Sequence, residues 1–230
     1  MRTLTFDIET VPQDNLEPYQ ITEYRKVMKT NLKRFFPDGN YTLSELKDIR
    51  NLTMAVSPFL GKIVVIGLHY KGEDGVEETH AIYGYDERTL LVEFWSTLSK
   101  LTKTRFISFN GLNFDVPFIL KRSLFHRVTP TNNDFMDLRR FSQWPHYDVK
   151  MMMGDWDKYA TGTLDLISNF LSIPSPKEGK VAAKDVYYAY KNKQLKEVAD
   201  YCLRDVVATF EVYSIMKDFT HNPFKNYGKK

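Results

Sequence analysis

Three short segments of this sequence carry side chains whose types and spacing could hold divalent cations. In the first, the apolar, strand-like run from Leu4 to Thr10 ends in two acids, Asp7 and Glu9. Successive side chains on a strand point to opposite faces, so these two acids project to the same side. Adjacent carboxylates repel each other unless a proton or a metal lies between them, and Mg²⁺ prefers oxygen ligands. Taken alone, an acidic, solvated strand end explains the pair equally well.

The other two segments each place an acid at or within a predicted helix. Asp115 follows Asn110 and Phe114 where a strand turns into a helix, and an acid in the first turn faces the positive helix N-terminus. Tyr201 and Asp205 are four residues apart in the last predicted helix, so they share a face with Cβ atoms about 5–6 Å apart. Taken singly, a helix-start acid and a helix-surface pair are the simpler interpretations.

Strands and helices predicted along the chain must position these acids. Strands dominate the first part of the chain, and strands and helices alternate in the rest. Strands are predicted at 4–10, 63–68, 77–83 and 105–109, helices at 17–36, 87–101, 114–124, 163–171 and 195–217, and weaker elements at 135–138 and 147–151. This order is typical of a mixed α/β sheet flanked by helices. We expect one domain, residues 1–230, in which residues 11–55 form a helical and loop insertion after the first strand.

Composition limits the class of protein. The 230 residues are 43% hydrophobic and 14% aromatic, which is enough for a full core, and the net charge of +3 tolerates a polyanionic partner without demanding one. The single cysteine, Cys202, excludes an internal disulfide and fits a reducing compartment. Residues 1–20 contain no apolar core of signal-peptide type, since Asp7 and Glu9 interrupt them, and the longest strongly apolar run, 63–68, is too short to span a bilayer. We therefore expect a soluble, cytoplasmic protein without membrane contact.

Together, the three segments resemble the three motifs of the DEDD-type 3′→5′ exonucleases. They are Phe6-Asp7-Ile8-Glu9-Thr10, Asn110-x-x-x-Phe114-Asp115 and Tyr201-x-x-x-Asp205, which occur in the family's order and span residues 6 to 205. The tyrosine indicates the DEDDy branch, because the histidine branch would carry a histidine where this chain has Asp200. The proofreading domain of family B DNA polymerases and its stand-alone relatives are the most similar. Residues 60–66 and 146–149 resemble further segments of those domains.

The resemblance implies a ribonuclease H-like fold, with a five-stranded mixed sheet flanked by helices. It also implies two divalent cations, Mg²⁺ or Mn²⁺, about 3.5–4 Å apart, that clamp the attacking and leaving oxygens of an in-line displacement. The implied protein ligands are Asp7, Glu9, Asp115 and Asp205, with Asp7 bridging both ions. We assign Tyr201 the role of holding the nucleophilic water in line, with proton acceptance secondary, because a phenol with a pKa of about 10 is a poor base at neutral pH.

Residues implied to contact the substrate lie beside the predicted ligands, and they are Ile8, Thr10, Asn110 and Phe114. Asn110 is expected at the terminal nucleotide and the backbone of Thr10 at the 3′-hydroxyl, whereas Phe114 is at least as well explained as a core residue. Asp148 is interpreted either as a residue that supports the metal ligands from behind or as a structural residue, since the four ligands are already assigned. Lysines surround the approach to the third motif and could contact phosphates, although a solvated face is the default interpretation; they are Lys177, Lys180, Lys184, Lys191, Lys193 and Lys196.

The leading hypothesis is a metal-dependent exonuclease that removes nucleotides from the 3′ end of single-stranded DNA. An exoribonuclease that trims RNA would use the same chemistry, and a non-catalytic nucleic-acid-binding module on the same fold is the alternative from another class. Signatures of P-loop, dinucleotide-binding, zinc-protease and common serine-hydrolase sites are absent from the sequence. Since 230 residues leave no room for a polymerase domain, proofreading would need a polymerase or repair partner in trans.

Overall fold

A five-stranded mixed sheet lies at the centre of the computed structural model, which describes residues 1–157, 162–175 and 182–219. Its strands are β1 (Arg2–Pro12), β2 (Gly61–Lys71), β3 (Glu77–Tyr83), β4 (Thr104–Ser108) and β5 (His146–Asp148). The order across the sheet is β3-β2-β1-β4-β5, with antiparallel β3-β2-β1 pairing and parallel β1-β4-β5 pairing. The predicted five-stranded mixed sheet is confirmed, and its first three strands form an antiparallel meander.

Eight α-helices flank the sheet in the described part of the chain. They are α1 (Pro18–Phe35), α2 (Leu43–Ala55), α3 (Glu87–Leu98), α4 (Asp115–His126), α5 (Val149–Met153), α6 (Leu164–Phe170), α7 (Val186–Lys191) and α8 (Leu195–Met216). None of the helices found within the described ranges is long and apolar enough to cross a membrane. The sequence predicted α1, α3, α4, α6 and α8 close to their observed bounds.

Four local assignments differ from the sequence prediction. The element predicted at 147–151 divides into β5 and α5, and α7 was not predicted. The other two concern α2 and residues 135–138. Helix α2 lies in the predicted insertion but was not recognised as a helix, although Thr42 and Glu45 form a capping box that marks its start. Residues 135–138 form an irregular turn rather than a regular element. The reason is local, because the side chain of Asn132 accepts the N–H of Phe135 at 2.9 Å and directs that ring into the core.

The two faces of the sheet are covered by different helices. On one face, Leu4, Phe6 and Ile8 of β1 pack with apolar residues of α3 and α4. Fully burying a side chain of this kind stabilises the fold by about 1.5–3 kcal/mol. Helix α8 covers the opposite face. Since side chains alternate along a strand, Asp7 and Glu9 of β1 point towards α8.

Helix α8 packs closely against the sheet at Gly67 of β2. A Cβ atom at this position would lie 2.7 Å from Sγ of Cys202 and 3.0 Å from Cγ2 of Val206, so a larger residue does not fit without a shift. Gly67 pairs with Asp7 across the β1–β2 ladder. The missing side chain therefore lets α8 sit directly over the first of the predicted metal ligands.

Candidate active site

Four carboxylates from three elements meet where α8 crosses β1; we call Asp7, Glu9, Asp115 and Asp205 the acid cluster. Oδ1 of Asp115, the first residue of α4, accepts the N–H of Ile8 at 3.1 Å. Oxygens of Asp7 and Glu9 and Sγ of Cys202 all lie within 4.8 Å of one another. Asp7 interacts electrostatically with each of the other three acids. The structure thus brings together the four side chains predicted as metal ligands.

Burial is the main cause that raises the pKa of Asp7 and Glu9 well above the usual range of a carboxyl group. For Asp7, repulsion from the other three acids adds to burial, and a weak hydrogen bond from Cys202 acts in the opposite direction. For Glu9, repulsion from Asp205 and Asp115 adds to it. Positive charge brought to these two acids would favour their ionised forms.

The remaining two acids are perturbed less, because hydrogen bonds offset part of their desolvation. Burial raises the pKa of Asp115 to about 7, although the Ile8 N–H stabilises its charged form. Burial also raises the pKa of Asp205 to about 6, against the hydrogen bond from Tyr201 and the nearby Arg204. The whole acid cluster therefore holds protons more tightly than free carboxyl groups do.

Tyr201 lies one helical turn before Asp205 on α8, as its spacing predicted, and the two side chains share a hydrogen bond. Burial, followed by the negative charges of Glu9 and Asp205, raises the pKa of the Tyr201 phenol far above its usual value. The phenol therefore stays protonated at neutral pH. Such a group can orient a water by hydrogen bonding, but it does not remove a proton from it.

A cavity of about 180 Å³, here the acidic cavity, opens between α8 and α6. It is lined by Asp7, Phe109, Thr163, Leu164, Asp165, Tyr201, Asp205 and Thr209. Sequence reasoning did not single out Phe109, Thr163 or Asp165. Phe109 directly precedes the second motif, which was an available signal, whereas Thr163 and Asp165 have only the pattern of an ordinary helix start.

Hydrogen bonds to the side chain of Asp148 hold the loop of the second motif in place. Its two carboxylate oxygens accept the N–H groups of Asn110 at 2.9 Å and of Leu112 at 3.1 Å. Asn110 has a φ of 66°, in the left-handed region that few residues other than glycine adopt. Asp148 thus stabilises the turn that leads into Asp115, in agreement with its interpretation as a structural residue.

The other residues predicted to contact substrate lie mostly in the core or at its border. The side chain of Ile8 is 4% exposed and belongs to the main core, and Phe114 is partly buried against the same core. Thr10 follows a β-bulge and donates its hydroxyl to the carbonyl of Ala55 at 2.8 Å. The proposed contacts of these residues with a substrate stay predictions.

Two members of the predicted lysine group pair with acids outside the acid cluster. Lys191 pairs with Asp14 at 2.7 Å, and Lys196 pairs with Asp200 at 2.8 Å. Lys177 and Lys180 lie outside the described residues. These contacts favour the interpretation of a solvated face for Lys191 and Lys196.

The strand order, the helices on both faces and the acids beside the central strand define a ribonuclease H-like fold. The family B DNA polymerase from the hyperthermophilic archaeon Pyrobaculum calidifontis has a similar fold over 95% of this chain, with a TM-score of 0.59 and 17% identity. Weaker matches are Escherichia coli Exonuclease I in complex with a dT13 oligonucleotide (TM-score 0.40, 12% identity, 94% of this chain) and an ExoI/SSB-Ct complex (0.39, 13%, 93%). The chain spans only 25%, 41% and 45% of these three chains, respectively.

Residues 58–225 match the family described as predicted 3′-5′ exonucleases related to the exonuclease domain of PolB, and the chain belongs to this family. The matched range contains Asp115, Tyr201 and Asp205, whereas β1, with Asp7 and Glu9, precedes it. No curated protein matches the chain.

Proposed function

We propose that the protein is a metal-dependent 3′→5′ exonuclease that hydrolyses the phosphodiester bond at the 3′ end of single-stranded nucleic acid, with DNA as the preferred substrate. The observation that carries this proposal is the uncompensated charge of the acid cluster. In the described part of the chain, no lysine or arginine forms an ion pair with Asp7, Glu9 or Asp115. Buried carboxylates are normally paired or bound to metal, so this arrangement favours a site for cations.

The donor chemistry of the acid cluster fits Mg²⁺ or Mn²⁺, because all four side chains offer the hard oxygen ligands that these ions prefer. Asp7, Glu9, Asp115 and Asp205 would hold them. Two divalent cations, when bound, polarise the phosphodiester and stabilise the attacking and leaving oxygens of an in-line displacement. The backbone N–H of Ile8 keeps Asp115 oriented towards this site, and the clamp by Asp148 keeps the preceding loop in place.

Tyr201 positions the attacking water in this proposal. Its phenol lines the acidic cavity, shares a hydrogen bond with Asp205 and remains protonated because its pKa is raised. It therefore restricts where a water can sit and leaves proton removal to other groups. This role makes Tyr201 important for turnover and dispensable for cation binding.

The test is a cleavage ladder on 5′-labelled single-stranded DNA and RNA oligonucleotides, with and without Mg²⁺ or Mn²⁺. We expect stepwise shortening of DNA from the 3′ end that depends on the cation and is abolished by a chelator. Faster shortening of RNA would identify an exoribonuclease instead. Binding without cleavage of either substrate would contradict an enzymatic role and favour a nucleic-acid-binding module. A polymerase or repair complex acting in trans is the partner that a DNA exonuclease of this kind would serve.

A further inference from the structure

Helix α1 carries a row of positive charge on its exposed side. Five of its residues are basic and exposed, and they are Arg25, Lys26, Lys29, Lys33 and Arg34. Because side chains four residues apart lie one above another on a helix, Arg25, Lys29 and Lys33 form a row, and Lys26 lies beside it. With a rise of about 1.5 Å per residue, this row is about 12 Å long. We call Arg25, Lys26, Lys29 and Lys33 the basic stripe.

The positive charge of the chain is concentrated in this one helix. Helix α1 contains five basic residues and one acid, Glu23, so it carries a net charge of +4, whereas the whole chain carries +3. The residues outside α1 therefore have a net charge of −1. Among the residues that the structure describes, none forms an ion pair with the basic stripe. Basic side chains four residues apart also repel each other, which opposes helix formation. The basic stripe thus lacks a counter-charge in the described part of the protein.

The opposite side of α1 attaches the helix to the rest of the protein. Met28 is 5% exposed, and the side chain of Asn31 donates to Oγ1 of Thr53 on α2 at 2.8 Å. Nε2 of the buried Gln20 donates to the carbonyl of Phe59 at 2.6 Å. Packing and hydrogen bonding therefore use one side of the helix, and the basic stripe faces solvent on the other.

Helix α2 links α1 to the acid cluster. Thr10, the residue after Glu9, donates its hydroxyl to the carbonyl of Ala55 in α2 at 2.8 Å, and Thr53 of α2 accepts the hydrogen bond from Asn31 of α1. Packed helices lie about 8–10 Å apart, so α1 lies about one helix diameter beyond α2. A strand that ends at the acid cluster can therefore reach α1 with several further nucleotides. Both helices precede residue 58, where the match to the exonuclease family begins, so that match does not include the basic stripe.

We propose that the basic stripe binds phosphates of the substrate strand upstream of its 3′ end; this inference rests on the proposed exonuclease function. The acid cluster repels phosphates until cations occupy it, and the chain outside α1 has no positive excess, so the attraction of a polyanion falls mainly to α1. Phosphates of one strand follow each other about every 3.4 Å along B-DNA, so a row of about 12 Å can contact more than one of them. Phosphate contacts carry no sequence information, so α1 tethers long strands of any sequence.

The experiment removes the charge and keeps the helix. Three substitutions to glutamine, a good helix former, neutralise most of the basic stripe, and this stripe variant carries Arg25→Gln, Lys29→Gln and Lys33→Gln. The control variant loses the same charge from exposed lysines outside α1, and it carries Lys47→Gln, Lys100→Gln and Lys103→Gln. KM at low salt is measured for both variants on two 5′-labelled oligothymidylates, a long one of about 30 nucleotides and a short one of about 3 nucleotides.

We expect the stripe variant to raise KM about tenfold on the long strand and to leave KM on the short strand unchanged, and the control variant to change neither. Fluorescence anisotropy in EDTA gives the Kd of the long strand. The slope of log Kd against log salt should be smaller by about 2 in the stripe variant, since each phosphate contact contributes about 0.7. The stripe variant should unfold at or above the wild-type temperature, because like charges have been removed, which excludes unfolding as the cause of a weaker KM.

Equal KM values of the two variants on the long strand would overturn the inference, and so would an equal rise of KM on both strands in the stripe variant. Weaker binding of the stripe variant to phosphatidylserine vesicles with an unchanged KM would also overturn it and assign α1 to a lipid surface. Failure of the proposed function is distinguishable, because the wild-type chain would then cleave nothing. In that case the anisotropy measurement decides, and equal Kd values of the two variants would refute the role of α1.

Discussion

Two groups of buried carboxylates in this molecule differ in what neutralises them. Glu87, at the start of α3, is 4% exposed and receives hydrogen bonds from Arg122 at 2.6 to 3.0 Å and from His126 at 2.7 Å. It also accepts the N–H of Ile63 at 2.7 Å. The acid cluster, by contrast, has a single nearby cation among its described neighbours, Arg204 beside Asp205. The charge of Glu87 is balanced by side chains of the same protein, whereas the acid cluster keeps an excess of acidic groups.

The directions of the pKa shifts express this difference. Burial alone would raise the pKa of Glu87, but the hydrogen bonds from His126 and Arg122 outweigh it and hold that pKa below its usual range. In the acid cluster, burial and mutual repulsion prevail and every pKa rises. Carboxyl groups that are largely removed from water thus form a structural ion pair in one place and, in the other, an acidic site whose charge favours an external cation.

Removing the internal cation should have the largest effect on stability. Arg122→Ala leaves buried Glu87 with only the His126 ring and the Ile63 N–H as partners, so the free energy of unfolding is expected to fall by about 3–5 kcal/mol. Urea denaturation of the metal-free protein measures this change in the free energy of unfolding. Arg88→Ala, an exposed arginine next to Glu87, is the control and should change stability by less than about 0.5 kcal/mol. Similar losses in both variants would show that Glu87 does not depend on its partner.

The opposite result is expected in the acid cluster. Asp205→Asn should lower the rate of 3′-end cleavage by more than about 100-fold, because losing a ligand exceeds the 10–100-fold cost of losing a residue behind one. The metal-free variant should be at least as stable as the wild type at pH 8, since one buried negative charge is gone. Asp200→Asn makes the same change on the exposed side of α8 and should retain activity. A stable, fully active Asp205→Asn variant would contradict the proposed role of Asp205 as a cation ligand.

The two groups should also respond to pH with opposite signs. Carboxyl groups titrate near about 4 in the unfolded chain, whereas the folded-state pKa is about 7 for Asp115 and about 6 for Asp205. The folded state thus binds more protons in this interval, and the metal-free protein should lose stability as the pH rises from about 4 to 7. Glu87, whose pKa is lowered, instead contributes stability that is lost as the pH falls through its folded-state pKa.

Thermal unfolding in EDTA and in Mg²⁺ or Mn²⁺ between about pH 5 and 8 measures this dependence. A cation at about 100 times its Kd should restore about 2.7 kcal/mol at the upper end, and much less at the lower end where the acids hold protons. The Asp205→Asn variant should show a smaller cation effect. A cation effect independent of pH would contradict binding at the acid cluster.

The smallest expected effect separates Tyr201 from the acids beside it. Tyr201→Phe removes the hydroxyl that orients the water, so turnover should fall about tenfold, corresponding to roughly 1.4 kcal/mol. The stabilisation by Mg²⁺ or Mn²⁺ in thermal unfolding should stay as in the wild type, because the carboxylates are intact. An unchanged turnover would rule out the positioning role.

The sequence was sufficient for the sheet and for the identity of the acids. The alternation of side chains along β1 placed Asp7 and Glu9 on one face. The order of the three motifs then linked this pair to Asp115 and Asp205, a link that residue spacing alone does not provide. The hydrogen bond from the Asn110 N–H to the carboxylate of Asp148 was not predictable, because it depends on how β5 packs beside β4. The contact between α2 and α7 was not predictable either, since the residues that form its hydrogen bond lie 140 positions apart in the sequence.

Gly67 sets how far the last helix stands from the first strand. The hydrogen that occupies the place of a side chain there allows Cys202 to rest against the backbone opposite Asp7. One added methyl group at this position would push α8 away from the sheet and move Asp205 and Tyr201 away from β1. The distance between the third motif and the first therefore depends on a residue outside the acid cluster, and an alanine there would move Asp205 away from Asp7 without altering any carboxylate of the cluster.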